Sequence, residues 1–237
     1  MPNPDPLLSA TNISSSSLHF EISDITALIL AGGRGVRMGG VDKGLQSFRG
    51  LPLVQHALKR LVDQSGAPLY GVLVNANRNH ELYLVQAESC FGAGKALVFA
   101  DRVQDFSGPL AGFEAGLALC RSPLLLTVPC DSPLFPLDLA ARLLSSLVAA
   151  DADVAVVDAP EAGPEGRIDL RSQPVFCLMK AGLHDSLAGF LASGRRKIDA
   201  WTAQHRVVRV PFNTALDNPH AFANANTLDE LRALEKT

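Results

Sequence analysis

ITALILAGGRGVRMGGVDKG, residues 25–44, decides how the chain is read. Its first six residues form a continuous apolar run, the pattern of a strand buried on both faces. From Leu30 to Gly44 the sequence then carries six glycines together with Arg34, Arg37 and Lys43. Glycine lets the backbone take φ > 0 and come close to another group, so this loop is suited to wrapping rather than packing. Its cations mark the wrapped group as an anion.

Working outward, short apolar runs recur at 69–74, 96–99, 123–128 and 154–157, each followed or preceded by a helical pattern. The helices are expected from Pro52 onward and over 79–89, 110–120 and 137–149, with Pro52 placed where a first turn tolerates it. Strands alternating with helices imply an α/β fold, a single-domain, doubly wound, Rossmann-like and mostly parallel sheet. The second half is less regular. A strand is expected from Pro174, helical segments over about 180–204, and a strand from Val207. A last helix is expected after Asn226, with Thr227 as N-cap and Glu230 three residues on. The domain is taken as 21–237. Residues 1–20, rich in Pro, Asn and Ser, read as a disordered extension without the basic and apolar regions of a secretory signal.

The formal charge of −3 leaves no basic footprint for nucleic acid, so the anion must be met by local charge. No apolar run approaches the roughly 18 residues that a membrane span needs. Cys90, Cys120, Cys130 and Cys177 form no C-x-x-C pair, which reads as free thiols in a reducing, cytoplasmic setting. The six histidines show no metal spacing, and no G-x-S-x-G elbow or Cys-His pattern offers a nucleophile.

In an open α/β sheet, ligands bind at the carboxyl ends of the strands, where this glycine loop begins. It fails both familiar phosphate motifs. Lys43 follows Asp42 and precedes Gly44, unlike a P-loop lysine, and Met38 stands where the dinucleotide fingerprint needs its last glycine. The loop instead resembles the L-x-x-G-x-G-x-R-[ML] loop of sugar- and cofactor-nucleotidyltransferases, through Leu30, Gly33, Gly35, Arg37 and Met38, with Lys43 at the position of their phosphate-binding lysine. It is most similar to the molybdenum cofactor guanylyltransferases, whose pattern LAGG-x-x-x-RMGG-x-DKG is present in full. The resemblance covers about 25–236, densely to about 136 and sparsely after it. It implies a fold of the nucleotide-diphospho-sugar-transferase type, with a nucleotide half at about 25–136 and a pterin-side half at about 137–237.

The implied reaction transfers GMP from GTP to the terminal phosphate of molybdopterin or Mo-molybdopterin, releasing pyrophosphate. A nucleoside triphosphate carries about four negative charges, and a phosphate monoester adds about −1.5 to −2. At 4 Å and an effective dielectric near 20, each unit pair is worth about 4 kcal/mol in either sign. One lysine and one or two arginines cannot hold both anions, so Mg²⁺, or Mn²⁺ in its place, is expected on a carboxylate. Asp101 and Asp131, each just past an apolar strand, are the candidates.

The resemblance separates them. Asp131, in PCDSP, sits at the family's magnesium position, and Asp101 at a GTP-contacting position. Arg37, Lys43 and Asp131 are then the catalytic set. Leu30, Ala31, Gly32, Gly33, Gly35, Asn75, Gly108 and Gly112 join Lys43, Asp101 and Asp131 in binding the nucleotide. Gly108 and Gly112, in GPLAG, are expected to allow close approach of substrate. Asn224 and Asn226 match a pair linked to the pterin, and Arg195 and Arg196 are candidates for its phosphate. Gln173 departs from the histidine common at its position. Cofactor-biosynthesis proteins and molybdoenzyme chaperones are expected as partners, because an unstable pterin passes by direct contact.

Three rivals remain at this point, one of them a sugar-1-phosphate nucleotidyltransferase, which the short chain and its second half fit less well. The sister cytidylyltransferases usually carry LAAG where this chain has LAGG, and a side chain at Gly32 is expected to crowd the larger purine. A non-catalytic nucleotide-binding regulator on the same fold is the third, since fold alone does not fix function.

Overall fold

The computed structural model describes residues 19–33, 41–101, 108–163, 167–225 and 227–236. In chain order the strands are β1 (Ile25–Leu30), β2 (Ser47–Phe48), β3 (Leu51–Pro52), β4 (Gly71–Asn75), β5 (Ala96–Phe99), β6 (Leu124–Pro129), β7 (Val154–Ala162), β8 (Ile168–Lys180) and β9 (Val207–Pro211). The helices are α1 (Leu53–Val62), α2 (His80–Phe91), α3 (Pro109–Leu119), α4 (Leu139–Ala149), α5 (His184–Ala192), α6 (Ile198–Thr202) and α7 (Leu228–Leu234). Seven strands form one sheet in the order β5-β4-β1-β6-β8-β7-β9, and β2 pairs with β3 as a separate hairpin.

The apolar run 25–30 lies at the heart of this sheet, flanked in parallel by β4 and β6. Its side chains alternate between two cores. Ile25, Ala27 and Ile29 pack with α1, α2 and α4, whereas Leu28 packs with α3, α5 and α6 on the opposite face. A strand covered on both faces has no polar side, which is why its sequence does not alternate. Only β8 runs against its neighbours β6 and β7. The sheet is therefore mostly parallel, with helices on both faces. A third, smaller cluster joins Phe48 and Leu53 to Ala225, Leu231 and Leu234, tying the last helix to the β2–β3 hairpin.

Residues 1–18 of the expected extension lie outside the described residues, and Phe20 already packs against the core. The helical stretch near 180–204 divides into a 3-10 turn (Ala181–Leu183), α5 and α6, broken at Gly194, whose φ of +83° is left-handed. β7 and β8 are longer than their apolar cores, because the outer half of the hairpin carries Asp158, Glu161, Asp169 and Arg171 on partly exposed backbone. Thr227 caps α7 by accepting the Glu230 N–H at 3.1 Å. All four cysteines are free; Cys130 and Cys177 are buried and the other two half-buried. Among the described residues, no helix is long and apolar enough to cross a membrane.

Candidate functional site

Parallel pairing brings the carboxyl ends of four strands level. Leu30 is in register with Asn75 and with Pro129, and Asn75 with Phe99. The glycine-rich loop leaves the middle of this edge. Its first residues are pinned on both sides: Ala31 donates its N–H to Asn75 O at 2.8 Å, and Cys130 donates to Leu30 O at 3.1 Å. Leu30, Ala31, Gly32 and Gly33 therefore start between the two strands that carry Asn75 and Asp131. Gly35 and Arg37 belong to 34–40, outside the described residues.

The chain returns at Val41. Lys43 opens a 3-10 turn (Lys43–Leu45), and its ammonium forms an ion pair with Asp131, 88 residues further on. Each side chain keeps only 17% of its surface. The pair joins the two densest motifs, DKG and PCDSP, across the edge. Ala225 donates its N–H to Asp131 O at 3.1 Å, so the segment containing Asn224 is tied to the same turn; Asn226 lies outside the described residues. Ser132, next to Asp131, is buried and its hydroxyl has no partner among the described residues.

Asp101, just past β5, is held by two amides. Asn75 donates to Oδ1 at 2.9 Å and Asn77 to Oδ2 at 2.8 Å, while Asn77 Oδ1 accepts the Asp101 N–H at 2.9 Å. The asparagine ladder then continues to the far end of the loop. Asn79 donates to Asp42 Oδ2 at 2.9 Å, and the Tyr83 hydroxyl donates to Asp42 Oδ1 at 2.5 Å. Burial, above all, pushes the Tyr83 phenol well above its ordinary value, so it stays a donor. The segment from Asn75 to Tyr83 thus holds both ends of the glycine-rich loop. Asp42, Asn77, Asn79 and Tyr83 were missed by the sequence reading. The signal was there as three asparagines at a two-residue spacing directly after an apolar strand.

Two glycines of the expected site lie against side chains of the protein itself. Gly112 lies inside α3 and is buried; a Cβ there would stand 2.6 Å from both Asn75 Oδ1 and Leu30 Cδ2. Its bareness lets the helix approach the strand ends. At Gly32 a Cβ would meet Asn75 Oδ1 and Asn77 Nδ2, each at 2.9 Å, before any nucleotide is considered. Gly108 does face open space, at φ +138° as the N-cap of α3. Arg195 and Arg196 donate to backbone carbonyls at the end of α5 and the start of α6: Arg195 to Ala200 O at 3.4 Å, and Arg196 to Leu191 O at 2.9 Å.

A doubly wound sheet whose carboxyl edge gathers the start of a glycine-rich loop, a lysine–aspartate pair and an amide-braced carboxylate has its ligand site at that edge, and the fold is that of the α/β nucleotidyltransferases. The chain belongs to the family of the MobA-like NTP transferase domain, whose pattern matches residues 27–235. It is 54% identical to a molybdenum cofactor guanylyltransferase of Albidiferax ferrireducens over 90% of this chain and 96% of that protein. Identity to one of Acidovorax is 55%, over 90% and 95%. Among solved structures, molybdopterin-guanine dinucleotide biosynthesis protein A of Archaeoglobus fulgidus shares the fold, with a TM-score of 0.65 at 20% identity over 89% of this chain and 97% of that one. A 4-diphosphocytidyl-2C-methyl-D-erythritol synthase of Anaerococcus prevotii shares it too, with a TM-score of 0.67 at 13% identity over 91% and 96%.

Proposed function

We infer that this chain acts as a molybdenum cofactor guanylyltransferase: it transfers GMP from GTP to the terminal phosphate of molybdopterin, releasing pyrophosphate and forming molybdopterin guanine dinucleotide. The relatives that share about half of its residues carry that name. The observation on which the reading rests is the Lys43–Asp131 pair at the carboxyl edge, because it brings a phosphate-binding cation and a carboxylate to one point beside the glycine-rich loop.

In the reaction, an oxygen of the pterin's phosphate attacks the α-phosphorus of GTP. The new P–O bond forms as the bond to the β-phosphate's bridging oxygen breaks, and pyrophosphate leaves with that electron pair. The attacking phosphate has a second pKa near 6 and is already mostly ionised at neutral pH, so the protein need not supply a strong base. Its work is positioning and charge neutralisation. Lys43 and Arg37 meet the triphosphate, the N–H groups of Gly32 and Gly33 line its entry, and Asp101 and Asn75 contact the guanine nucleotide.

The donor set suits magnesium. No group of three His, Cys, Asp or Glu forms a protein cage among the described residues. Asp131 and Asp101 stand at the edge, Asp101 with both oxygens taken by amides, and Mg²⁺ is commonly held by one or two carboxylates with phosphates and water completing its shell. When bound there it would neutralise charge on the phosphates. GTP and molybdopterin are the substrates, the setting is cytoplasmic, and cofactor-biosynthesis proteins and molybdoenzyme chaperones are the protein partners.

The test is pyrophosphate release with Mg²⁺, comparing GTP, CTP, ATP and UTP with and without molybdopterin on its carrier protein. Release with GTP only in the presence of the pterin is expected. Release with CTP instead would assign the chain to the sister reaction, and binding of GTP without turnover would favour a regulator.

A further inference from the structure

One amide group touches three parts of the site. Asn77 Nδ2 donates its two hydrogens to Gly32 O at 2.9 Å and to Asp101 Oδ2 at 2.8 Å, and Asn77 Oδ1 takes the Asp101 N–H. Asn75 supplies the other Asp101 carboxylate oxygen with its donor. Both oxygens of Asp101 are therefore fixed by side-chain amides, and the carbonyl at the start of the glycine-rich loop is fixed by the same Asn77.

Gly32 is not in the left-handed region, so its backbone would accept a side chain. Space is the obstacle. A methyl would stand 2.9 Å from Asn75 Oδ1 and 2.9 Å from Asn77 Nδ2, well inside van der Waals contact. Asn75 is only 3% exposed and is further hemmed in by Gly112. Asn77 is exposed and can swing out. The cheaper response to a methyl is thus loss of the Asn77 contacts, which frees one side of Asp101 and the Gly32 carbonyl while the fold survives.

We propose that Asn77 is a positioning residue for Asp101 and the start of the glycine-rich loop, and that position 32 is confined to glycine by this asparagine clamp rather than by the bound purine. Nucleotide choice at position 32 is then read through Asn77 and Asp101. The proposal rests on the guanine-nucleotide reading of the site.

A double-substitution cycle separates the two routes. GTP binding by calorimetry, GTP kinetics in pyrophosphate release and thermal unfolding are measured for the unsubstituted protein, Gly32→Ala, Asn77→Ala and the pair. Each single change is expected to raise the GTP KM about tenfold, the scale of a lost hydrogen bond to a charged group, with a smaller effect on kcat. The pair should be no worse than about twofold beyond the weaker single variant, because the methyl and the truncation remove the same contacts. Losses that multiply would overturn the clamp, because the methyl would then act through Asn75 or the nucleotide and not through Asn77.

Asn77→Asp carries the test if Gly32→Ala does not fold. It keeps the size of the side chain but sets a carboxylate against Asp101, so GTP should bind more weakly than to Asn77→Ala. Equal or tighter binding would overturn the proposal. The unsubstituted protein is read first: CTP bound in preference to GTP would sink the guanine reading itself, and the clamp's role in guanine choice with it.

Discussion

The Tyr83 hydroxyl lies where a side chain on Gly44 would begin. It donates to Asp42 Oδ1 at 2.5 Å, and a Cβ on Gly44 would collide with that oxygen and stand 3.0 Å from the ring's Cε1. Lys43 sits between these two contacts, so α2 holds the turn that carries it. Gly44→Ala should reduce pyrophosphate release at least about tenfold, since displacement of a positioning group by even about 1 Å costs on the order of 10²-fold. Adding Tyr83→Phe removes the oxygen and should restore part of the activity. A double variant as poor as Gly44→Ala would show that the collision is not the cause.

Lys43 and Asp131 are predicted to separate activity from stability. In the proposed reaction both groups act on the phosphates, so truncating either to Ala should lower turnover about 10²- to 10³-fold, the scale seen when one preorganised donor is removed. Asp131→Ala also removes the carboxylate from a mostly buried ion pair, so urea unfolding should show a loss of about 1 kcal/mol. Chelation of Mg²⁺ should reproduce the loss of turnover without the loss of stability. Full activity in a chelator would remove the metal from the account.

The sheet was legible because its inner strands are buried on both faces and cannot hide among polar residues. ITALIL and PLLLTV read as strands on sight, and their carboxyl ends located the edge. The Lys43–Asp131 pair was legible as two motifs but not as a contact, since 88 residues of chain intervene. The asparagine ladder stayed hidden because Asn77 and Asn79 act on partners supplied by other loops; their sequence alone looks like a turn before a helix. The packing of Gly112 against Asn75 was hidden for a related reason. A glycine that admits an amide and one that admits a ligand look the same until the neighbour's position is known.

His56 gives the pH dependence a definite sign. Burial, first of all, pushes its imidazole below the ordinary value of 6.5, with Lys59, Arg49 and Arg60 adding to the effect and the contact of Nε2 with Phe48 O at 2.7 Å opposing it. The unfolded chain therefore binds more protons than the folded one just below pH 6.5. Stability should rise with pH through that window and fall as pH drops through it. The comparison is the urea midpoint of the unsubstituted protein and of His56→Gln from pH 5 to pH 7.5. Parallel profiles would exclude His56 as a source of the slope.

Thr127 offers a last test, of how the β6–β8 junction is held four residues before Asp131. The pairing of β7 with β8 slips between Val156 and Val157, which face Cys177 and Gln173, so Pro174–Phe176 have no partners on β7. The backbone there still needs donors, and Thr127 reaches in from β6. Its hydroxyl lies 2.5 Å from Val175 O, against 3.3 Å from Cys177 O, so its single proton goes to Val175. Thr127 is fully buried. Thr127→Val keeps the shape and strands that carbonyl, which should cost about 1–3 kcal/mol. Thr127→Ser keeps the donor and loses only a methyl, which should cost about 1 kcal/mol. Valine should therefore be the more damaging substitution, although it is the more apolar residue at a fully buried site. Urea midpoints that rank serine below valine would show that packing, not the hydroxyl, holds β8 against β6.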